Sequence, residues 1–322
     1  MTASDVDEAV VAANLFNVDG LVAFITGGGT GECMRRFSVW DAEFSGDCVA
    51  DVFPLPIGIG LMMARALAKN GAHKVYIGGR RLEVLEAAAA SLGPNVVPVK
   101  CDVTSKDSLQ EAVDFIKQDT GYLNALVCNS GIGGPQSVQL QDDTTLEEWA
   151  DSNWSISFEE HTNAFAVNTS AVWFTAIAFL KLLDAGNKKG NLEQSSQIIV
   201  TSSIASFNKA APGGWAYGQS KAAATHVARH LSAALPRWNI RANCIAPGLF
   251  PSEMAAPIVN RFNEGSDTPG RVPAQYIPLQ RMGNDQDMAG TILYLISRSG
   301  AYCNGLVIVI DGGRLLRFPS LY

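Results

Sequence analysis

Short apolar runs rich in β-branched residues alternate with stretches of helical period along almost the whole chain. Residues 21–25 form a first such run, and it ends in a cluster of glycines. Residues 59–69 have helical spacing and stop at Asn70-Gly71, a favourable C-terminal cap. Residues 75–77 and 96–99 predict a second and a third strand, 108–116 a helix, and 125–128 a fourth strand. Residues 165–183 predict a long, mostly apolar helix with one buried side. After it come a strand at 197–201, a helix at 215–234, and strands at 240–245 and 306–310.

Strands that are apolar at nearly every position, separated by helices, describe a parallel sheet covered on both faces. The expected architecture is a single α/β domain over residues 1–322, doubly wound, with right-handed crossovers. Two stretches break the rhythm. Residues 247–281 carry several Pro and Gly between the last two strands and read as a substrate lid. Residues 32–58 lie between the glycine cluster and the first helix, where a strand-to-helix turn needs only a few residues, and they have no period of 2 or 3.6.

Composition narrows the function classes. The 322 residues are 47% hydrophobic and 17% charged, as expected of a globular chain with a sizeable core. A net charge of −7 argues against nucleic acid as a partner. Cys33, Cys48, Cys101, Cys128, Cys244 and Cys303 show no paired spacing, so reduced thiols are expected rather than a disulfide framework or a metal site. The acidic start of the chain lacks the order of a signal peptide, and no apolar run reaches the length of a membrane span. The expectation is a cytoplasmic protein without a membrane partner.

The candidate chemistry sits at the ends of the predicted strands. Thr26-Gly27-Gly28-Gly29-Thr30-Gly31 follows the first strand, and Gly58-Ile59-Gly60 opens the first helix. With the intervening segment set aside, the two pieces join into one glycine-rich turn that runs into a helix N-terminus, where a pyrophosphate can bind backbone N–H groups. The second strand ends in Gly78-Gly79-Arg80-Arg81. An acidic residue there would suit the ribose of NAD, whereas arginine suits the 2′-phosphate of NADP, so NADPH is expected over NADH. Asp102 follows the third strand, within reach of an adenine amino group, and Asn129-Ser130-Gly131 follows the fourth. Tyr217 and Lys221 lie four residues apart on one helix face. A nearby ammonium can lower the phenol's pKa and fit it for proton transfer to a carbonyl. Ser203, fourteen residues before Tyr217, can reach the same oxygen; Ser202 is the alternative serine.

Together these residues resemble the short-chain dehydrogenase/reductase family over nearly all of the chain outside 32–58. The wording of residues 245–252 is similar to its 3-oxoacyl-reductase-like, rhamnolipid-biosynthesis-type subgroup. The resemblance implies a Rossmann-type fold and an NADP(H)-dependent interconversion of a ketone and a secondary alcohol. A 3-oxoacyl or polyketide-like carbonyl is the candidate substrate, and a homodimer or homotetramer the expected assembly. It assigns carbonyl polarisation to Ser203, proton transfer to Tyr217, ribose binding and tuning to Lys221, and a relay water to Asn168. The nucleotide would be held by Gly27, Gly29, Thr30, Gly58, Ile59, Gly60, Arg80, Arg81, Asp102, Asn129 and Gly131. On its nicotinamide side, Tyr217 and Lys221 would be joined by Pro247, Gly248 and Ser252. Asp311-Gly312-Gly313 matches the family's C-terminal signature.

The interruption at 32–58 supplies the alternative. Gly31-Glu32-Cys33 can be encoded by GGT-GAG-TGC, which contains an intron donor, and Ile57-Gly58 by ATA-GGN, which contains an acceptor. A translated in-frame intron would make this chain a mis-spliced product, or a catalytically impaired member whose glycine loop does not bind cofactor. Elsewhere the simpler readings prevail. His226 and His230 are expected to face a neighbouring helix or subunit rather than a metal. Trp173 is expected in the core, Trp215 and Phe250 are open between core and substrate pocket, and Glu159, Glu160 and His161 read as a solvated entry to the long helix.

Overall fold

A strand apolar at every position has to be covered on both faces, and four central strands here are fully buried: β1 (Val22–Thr26), β4 (Ala125–Cys128), β5 (Gln197–Thr201) and β6 (Arg241–Pro247). The computed structural model describes residues 10–29, 58–252, 254, 255, 258 and 271–322. Those four strands join β2 (Lys74–Gly79), β3 (Val96–Lys100) and β7 (Val307–Ile310) in one parallel sheet of order β3-β2-β1-β4-β5-β6-β7. The order reverses between β1 and β4, which opens a crevice at their carboxyl ends. This is the doubly wound, Rossmann-type single sheet that the pattern predicts.

Alternation along β1 shows how the two layers are divided. Ala23 and Ile25 pack with α1 (Ile59–Lys69), α2 (Leu82–Leu92) and α8 (Asp285–Ile296). Val22 and Phe24 face the opposite layer of α3 (Lys106–Asp119), α6 (Ala171–Lys189) and α7 (Trp215–Ala234). An Arg65–Asp285 ion pair ties α1 to α8.

Most element boundaries fall where the pattern places them, and the differences have physical causes. The long helix starts earlier than residue 165. α5 (Phe158–Phe165) runs through a π-helical turn at Ala166–Ser170 into α6. Glu159, Glu160 and His161 therefore lie within a helix, and Glu160 closes a capping box with Ser157. Phe158–Lys189 is long and apolar enough to cross a membrane, contrary to the length estimate from sequence. Its Val172, Ala176, Phe179 and Leu183 are nonetheless buried against the sheet. Trp173, expected in the core, lies with Phe174 on the outer face of α6, each 40% exposed. Among the described residues, α2, α4 (Leu146–Trp154), α8 and a short helix at Ala12–Leu15 went unpredicted.

Candidate active site

The crevice is built from strand ends, beginning with Thr26. Its buried hydroxyl accepts from the N–H groups of Asn129 (3.0 Å) and Ser130 (3.1 Å), so the ends of β1 and β4 are stitched across the switch point. The Asn129 amide donates to the Thr26 carbonyl at 3.0 Å and to that of Gly27 at 3.4 Å. Gly27 turns with φ 69°, in the region that favours glycine. The two halves of the glycine motif meet here despite the sequence between them. A Cβ on Gly60 would stand 2.5 Å from both the Gly27 carbonyl oxygen and the Asn129 Nδ2. The N-cap of α1, Gly58, has no side chain to cap the first-turn N–H groups, which leaves them suited to an anion. Gly29 lies close against Leu85 of α2, whereas Thr30 and residues 31–57 lie outside the described residues.

On the β2–β3 side, Arg80 is exposed and Arg81 half-buried just past the end of β2. The Asp102 carboxylate accepts from the Thr104 hydroxyl (2.7 Å) and N–H (2.9 Å). Those bonds, with a smaller contribution from the Arg80 charge, hold it below the usual carboxylate range.

On the β4–β5–β6 side, Asn168 converges with the serine, tyrosine and lysine of residues 203–221. Asn168, fully buried in the π turn, accepts from the Ile132 N–H at 2.9 Å. Its amide donates to the Ile132 carbonyl at 2.9 Å and to the Ser220 hydroxyl at 3.0 Å. Ser220 in turn donates to the Tyr217 carbonyl at 2.9 Å, so the π turn is latched to the helix that carries the phenol. A Cβ on Gly131 would lie 3.1 Å from both the Asn168 Oδ1 and the Lys221 Nζ. The Lys221 ammonium donates to the Thr201 carbonyl at 3.0 Å and sits 6.0 Å from the centre of the Tyr217 ring.

The two candidate serines have different surroundings. The Ser203 hydroxyl neighbours the Tyr217 phenol and accepts from the Ala205 N–H at 3.1 Å. Ser202 instead donates to the Lys221 carbonyl at 2.9 Å and lies 2.6 Å from the Thr225 hydroxyl, buried against α7. Electrostatics differ from the sequence expectation. Burial raises the Tyr217 phenol above its ordinary value, and the neighbouring Ser203 hydroxyl only partly offsets that. Burial also pushes the Lys221 ammonium down to about 8. In this state the phenol is a proton donor, not a phenolate.

At the far edge, the Gly248 N–H donates to the Ile310 carbonyl at 2.9 Å, and a Cβ there would lie 2.5 Å from that of Asp311. Pro247 ends β6, and the Ser252 hydroxyl accepts from the Ala255 N–H at 3.1 Å within its own turn. Val272 and Ile277 of the lid pack on Leu249 in a small core of their own. A cavity of about 470 Å³ lies at the ends of β6 and β7, lined by Phe250, Leu279, Met282, Val309 and Ile310 among others. Asn168, Ser203, Tyr217 and Lys221 do not line it. Phe250 is only 2% exposed and Trp215 is half-buried, edge-to-face with Trp149 at 6.2 Å. His226 and His230 are exposed with ring centres 4.2 Å apart, and no metal-binding cluster exists among the described residues.

Sequence reading missed the connecting residues Thr26, Thr201 and Ser220. Ser220 had a signal, because it sits three residues after Tyr217 and turns back to its carbonyl. Thr201 is recruited through its backbone, which leaves no mark on a pattern of side chains.

Comparison with known proteins follows the same division. A family profile described as enoyl-(acyl carrier protein) reductase matches residues 56–314, beginning after the first half of the glycine motif. The chain is 44% identical over 321 residues to the short-chain dehydrogenase/reductase PhomF of Diaporthe leptostromiformis, covering 99% of each. It is 26% identical to the 3-oxoacyl-[acyl-carrier-protein] reductase MabA of Mycobacterium tuberculosis over 262 residues, 80% of this chain and 88% of that one. The solved Pseudomonas aeruginosa RhlG/NADP active-site complex superposes with a TM-score of 0.70 at 25% identity, over 94% of this chain and 98% of that one.

Proposed function

This chain belongs to the short-chain dehydrogenase/reductase family of NAD(P)-dependent oxidoreductases, and from that premise we propose that it reduces a ketone to a secondary alcohol with NADPH. The observation that carries the reading is the convergence of Ser203, Tyr217, Lys221 and Asn168 beside the switch-point crevice.

The crevice fits a dinucleotide. Gly27 and Gly60 leave a cradle that a side chain would fill, and Thr26 and Asn129 hold its floor. Gly27, Gly29, Gly58, Ile59 and Gly60 would hold the pyrophosphate, with Asp102 at the adenine and Asn129 and Gly131 along the nucleotide. Arg80 and Arg81 would meet the 2′-phosphate, and Lys221 the nicotinamide ribose, with Pro247, Gly248 and Ser252 on the far side. Thr30 belongs to this set by sequence alone. The bound nucleotide supplies the hydride. The likeness to the RhlG/NADP complex and the two arginines support NADPH over NADH.

The chain's own residues handle the proton. The Ser203 and Tyr217 hydroxyls are neighbours, and a carbonyl oxygen can be held by both. The burial that raises the phenol keeps it protonated at neutral pH, so Tyr217 donates its proton to the developing alkoxide. Lys221, its cation held by the Thr201 carbonyl, stabilises the phenolate that remains, and Asn168, which fixes the π turn, would hold a water of the proton relay. The likeness to MabA, a 3-oxoacyl-[acyl-carrier-protein] reductase, supports a 3-oxoacyl thioester or polyketide-like carbonyl as substrate. The exposed aromatic face of α6 supports a homodimer or homotetramer.

The test is a carbonyl screen with NADPH and NADH side by side, run on the wild type and Tyr217→Phe. Tyr217→Phe is expected to lower turnover by roughly 10²–10⁴ with NADPH fluorescence titration nearly unchanged. Activity that persists in that variant overturns the assignment. A second reading, an impaired member or mis-spliced product, rests on the start of the family profile at residue 56, after Gly27–Gly29, and is opposed by the PhomF match, which spans 99% of both chains. Transcripts sequenced across residues 30–58 decide whether the segment belongs to the message.

A further inference from the structure

Residues 318–322 cross back over the segment that joins Ser203 to Tyr217. Asn208 and Ser320 form an antiparallel bridge. The Lys209 N–H donates to the Pro319 carbonyl at 2.8 Å, and the Leu321 N–H donates to the Phe207 carbonyl at 2.9 Å. The Tyr322 ring packs on that of Phe207, with centres 5.0 Å apart and planes at 62°. This strap starts from a fixed point, since the Asp311 carboxylate accepts from the N–H groups of Gly313 (2.8 Å) and Leu315 (2.6 Å). Buried Leu315 then packs with Ile204, Phe207 and Ala246.

What the strap holds is the turn that orients the Ser203 hydroxyl. Residues Ile204–Ser206 form a single 3₁₀ turn whose N-cap is Ser203. The Ser203 Oγ accepts from the Ala205 N–H, and the Ser203 carbonyl accepts from the Ser206 hydroxyl at 2.7 Å and N–H at 3.0 Å. A turn this short has few bonds of its own. Downstream, Ala211 is held at φ 48°, a region non-glycine residues seldom occupy, and a Cβ on Gly213 would sit 3.3 Å from the Tyr217 ring. Both ends of the strapped segment therefore end on the proton-handling pair.

We propose that the strap, Pro319 to Tyr322, is a positioning element for the Ser203 hydroxyl, acting through Phe207 and the Ile204–Ser206 turn. This rests on the ketone-reduction reading. Leu321 and Tyr322 are 76% and 68% exposed, so their removal takes little from the core. Loss of the strap frees the turn while the nucleotide cradle, at β1 and β4, keeps all its contacts.

The experiment compares the full chain with a version ending at Phe318, and with Leu321→Pro, which removes one strap donor and no core atom. Both are tested with and without Ser203→Ala. The expected result is a fall in kcat of about tenfold or more, because small displacements of reacting groups are costly. NADPH affinity stays within about twofold, since the strap touches none of the cradle. In the Ser203→Ala background the further loss vanishes, as it must if the strap acts through that hydroxyl. Amide exchange at Ser206 and Phe207 rises in both strap variants. Unchanged kcat, or an equal loss without the Ser203 hydroxyl, overturns the proposal. If the shortened chain fails to fold, Leu321→Pro decides by the same criteria. If the wild type reduces no carbonyl, the functional reading fails, and unchanged exchange at Ser206 and Phe207 then overturns the strap separately.

Discussion

The two halves of the crevice are held together by different means. The proton-handling half is over-determined by side chains, with Asn168 bonded to Ile132 and Ser220, Ser220 to Tyr217, and Lys221 to Thr201. Its serine, tyrosine and lysine all fall within residues 203–221. The phosphate half, floored by the Thr26 and Asn129 side chains, is otherwise formed by the absence of side chains. Gly27 and Gly60 come from opposite sides of the interrupting segment and meet because neither carries a Cβ. A network of hydrogen bonds fails when one partner is lost, whereas a cradle of bare backbone fails when anything is added. The first therefore ought to be sensitive to deletion and the second to enlargement, and substitutions can test each separately.

The largest effect is expected at Lys221, where function and stability pull in opposite directions. Lys221→Met should lower turnover by more than about a hundredfold, since the cation that supports the phenolate is gone. The same change should stabilise the fold. An ordinary lysine titrates at 10.5, but burial lowers this one to about 8. Below pH 8 both folded and unfolded chains carry the proton, and the folded one bears the full cost of a buried cation. Between pH 8 and 10.5 the unfolded chain binds more protons, so wild-type stability rises with pH. Lys221→Met should thus gain on the order of 3 kcal/mol at pH 7, and that advantage should disappear by pH 10.5. Thermal unfolding of both proteins across that range checks the sign. A destabilised Lys221→Met at pH 7 would show that the Thr201 bond outweighs the burial cost.

Next in size is Gly60→Val, the enlargement that should break the cradle. Its Cβ would start 2.5 Å from the Gly27 carbonyl oxygen, a contact that requires backbone movement. Overpacking of this kind costs roughly 1–3 kcal/mol, so NADPH should bind about fiftyfold more weakly. The Ser203–Tyr217 pair should keep its arrangement, read as an unchanged pH dependence of the residual activity. Coupled loss of both would mean that the halves are not independent. A smaller effect, about tenfold, is expected from Arg80→Glu in the ratio of NADPH to NADH affinity, because a charge-assisted bond to the 2′-phosphate becomes a repulsion. Arg80 is exposed and its field already reaches Asp102, so the acidity of that carboxylate should weaken in parallel.

What could be read from the sequence follows the same contrast. Strands β4 and β5 and helices α1 and α7 were placed to the residue, because apolar runs bounded by caps and glycines mark both ends. The Ser–Tyr–Lys set was legible because its spacing follows the helix and strand that carry it. Helix α2 was missed because its Ala-rich 85–90 core gives a weak period, and its N-cap Arg81 makes no capping bond. Helices α4 and α8 did carry signals, the capping boxes Thr145/Glu148 and Asn284/Asp287, which a search for caps rather than periodicity would have found. The pKa directions were not legible. Four residues of spacing show that Lys221 can approach Tyr217, but only packing shows that burial dominates both groups.

The smallest effect, and the one that most sharpens the contrast, is expected from excising residues 32–58. Sequence alone makes that segment look incompatible with a phosphate site, since the glycines before it and the helix after it must close around one ligand. The structure removes the geometric part of that objection, because the Gly27 carbonyl and Gly60 are in contact with the segment present. Loop-closure entropy grows only slowly with length, by about 0.6 kcal/mol for each doubling, so a long connection between ends already in place costs little. A backbone cradle needs only that nothing intrude. Excision should therefore change NADPH affinity by no more than about threefold, a shift of that same modest size. Fluorescence titration of the two proteins measures it. A hundredfold gain on excision would show that the segment obstructs the cradle, and it would establish the impaired-member reading in place of the functional one.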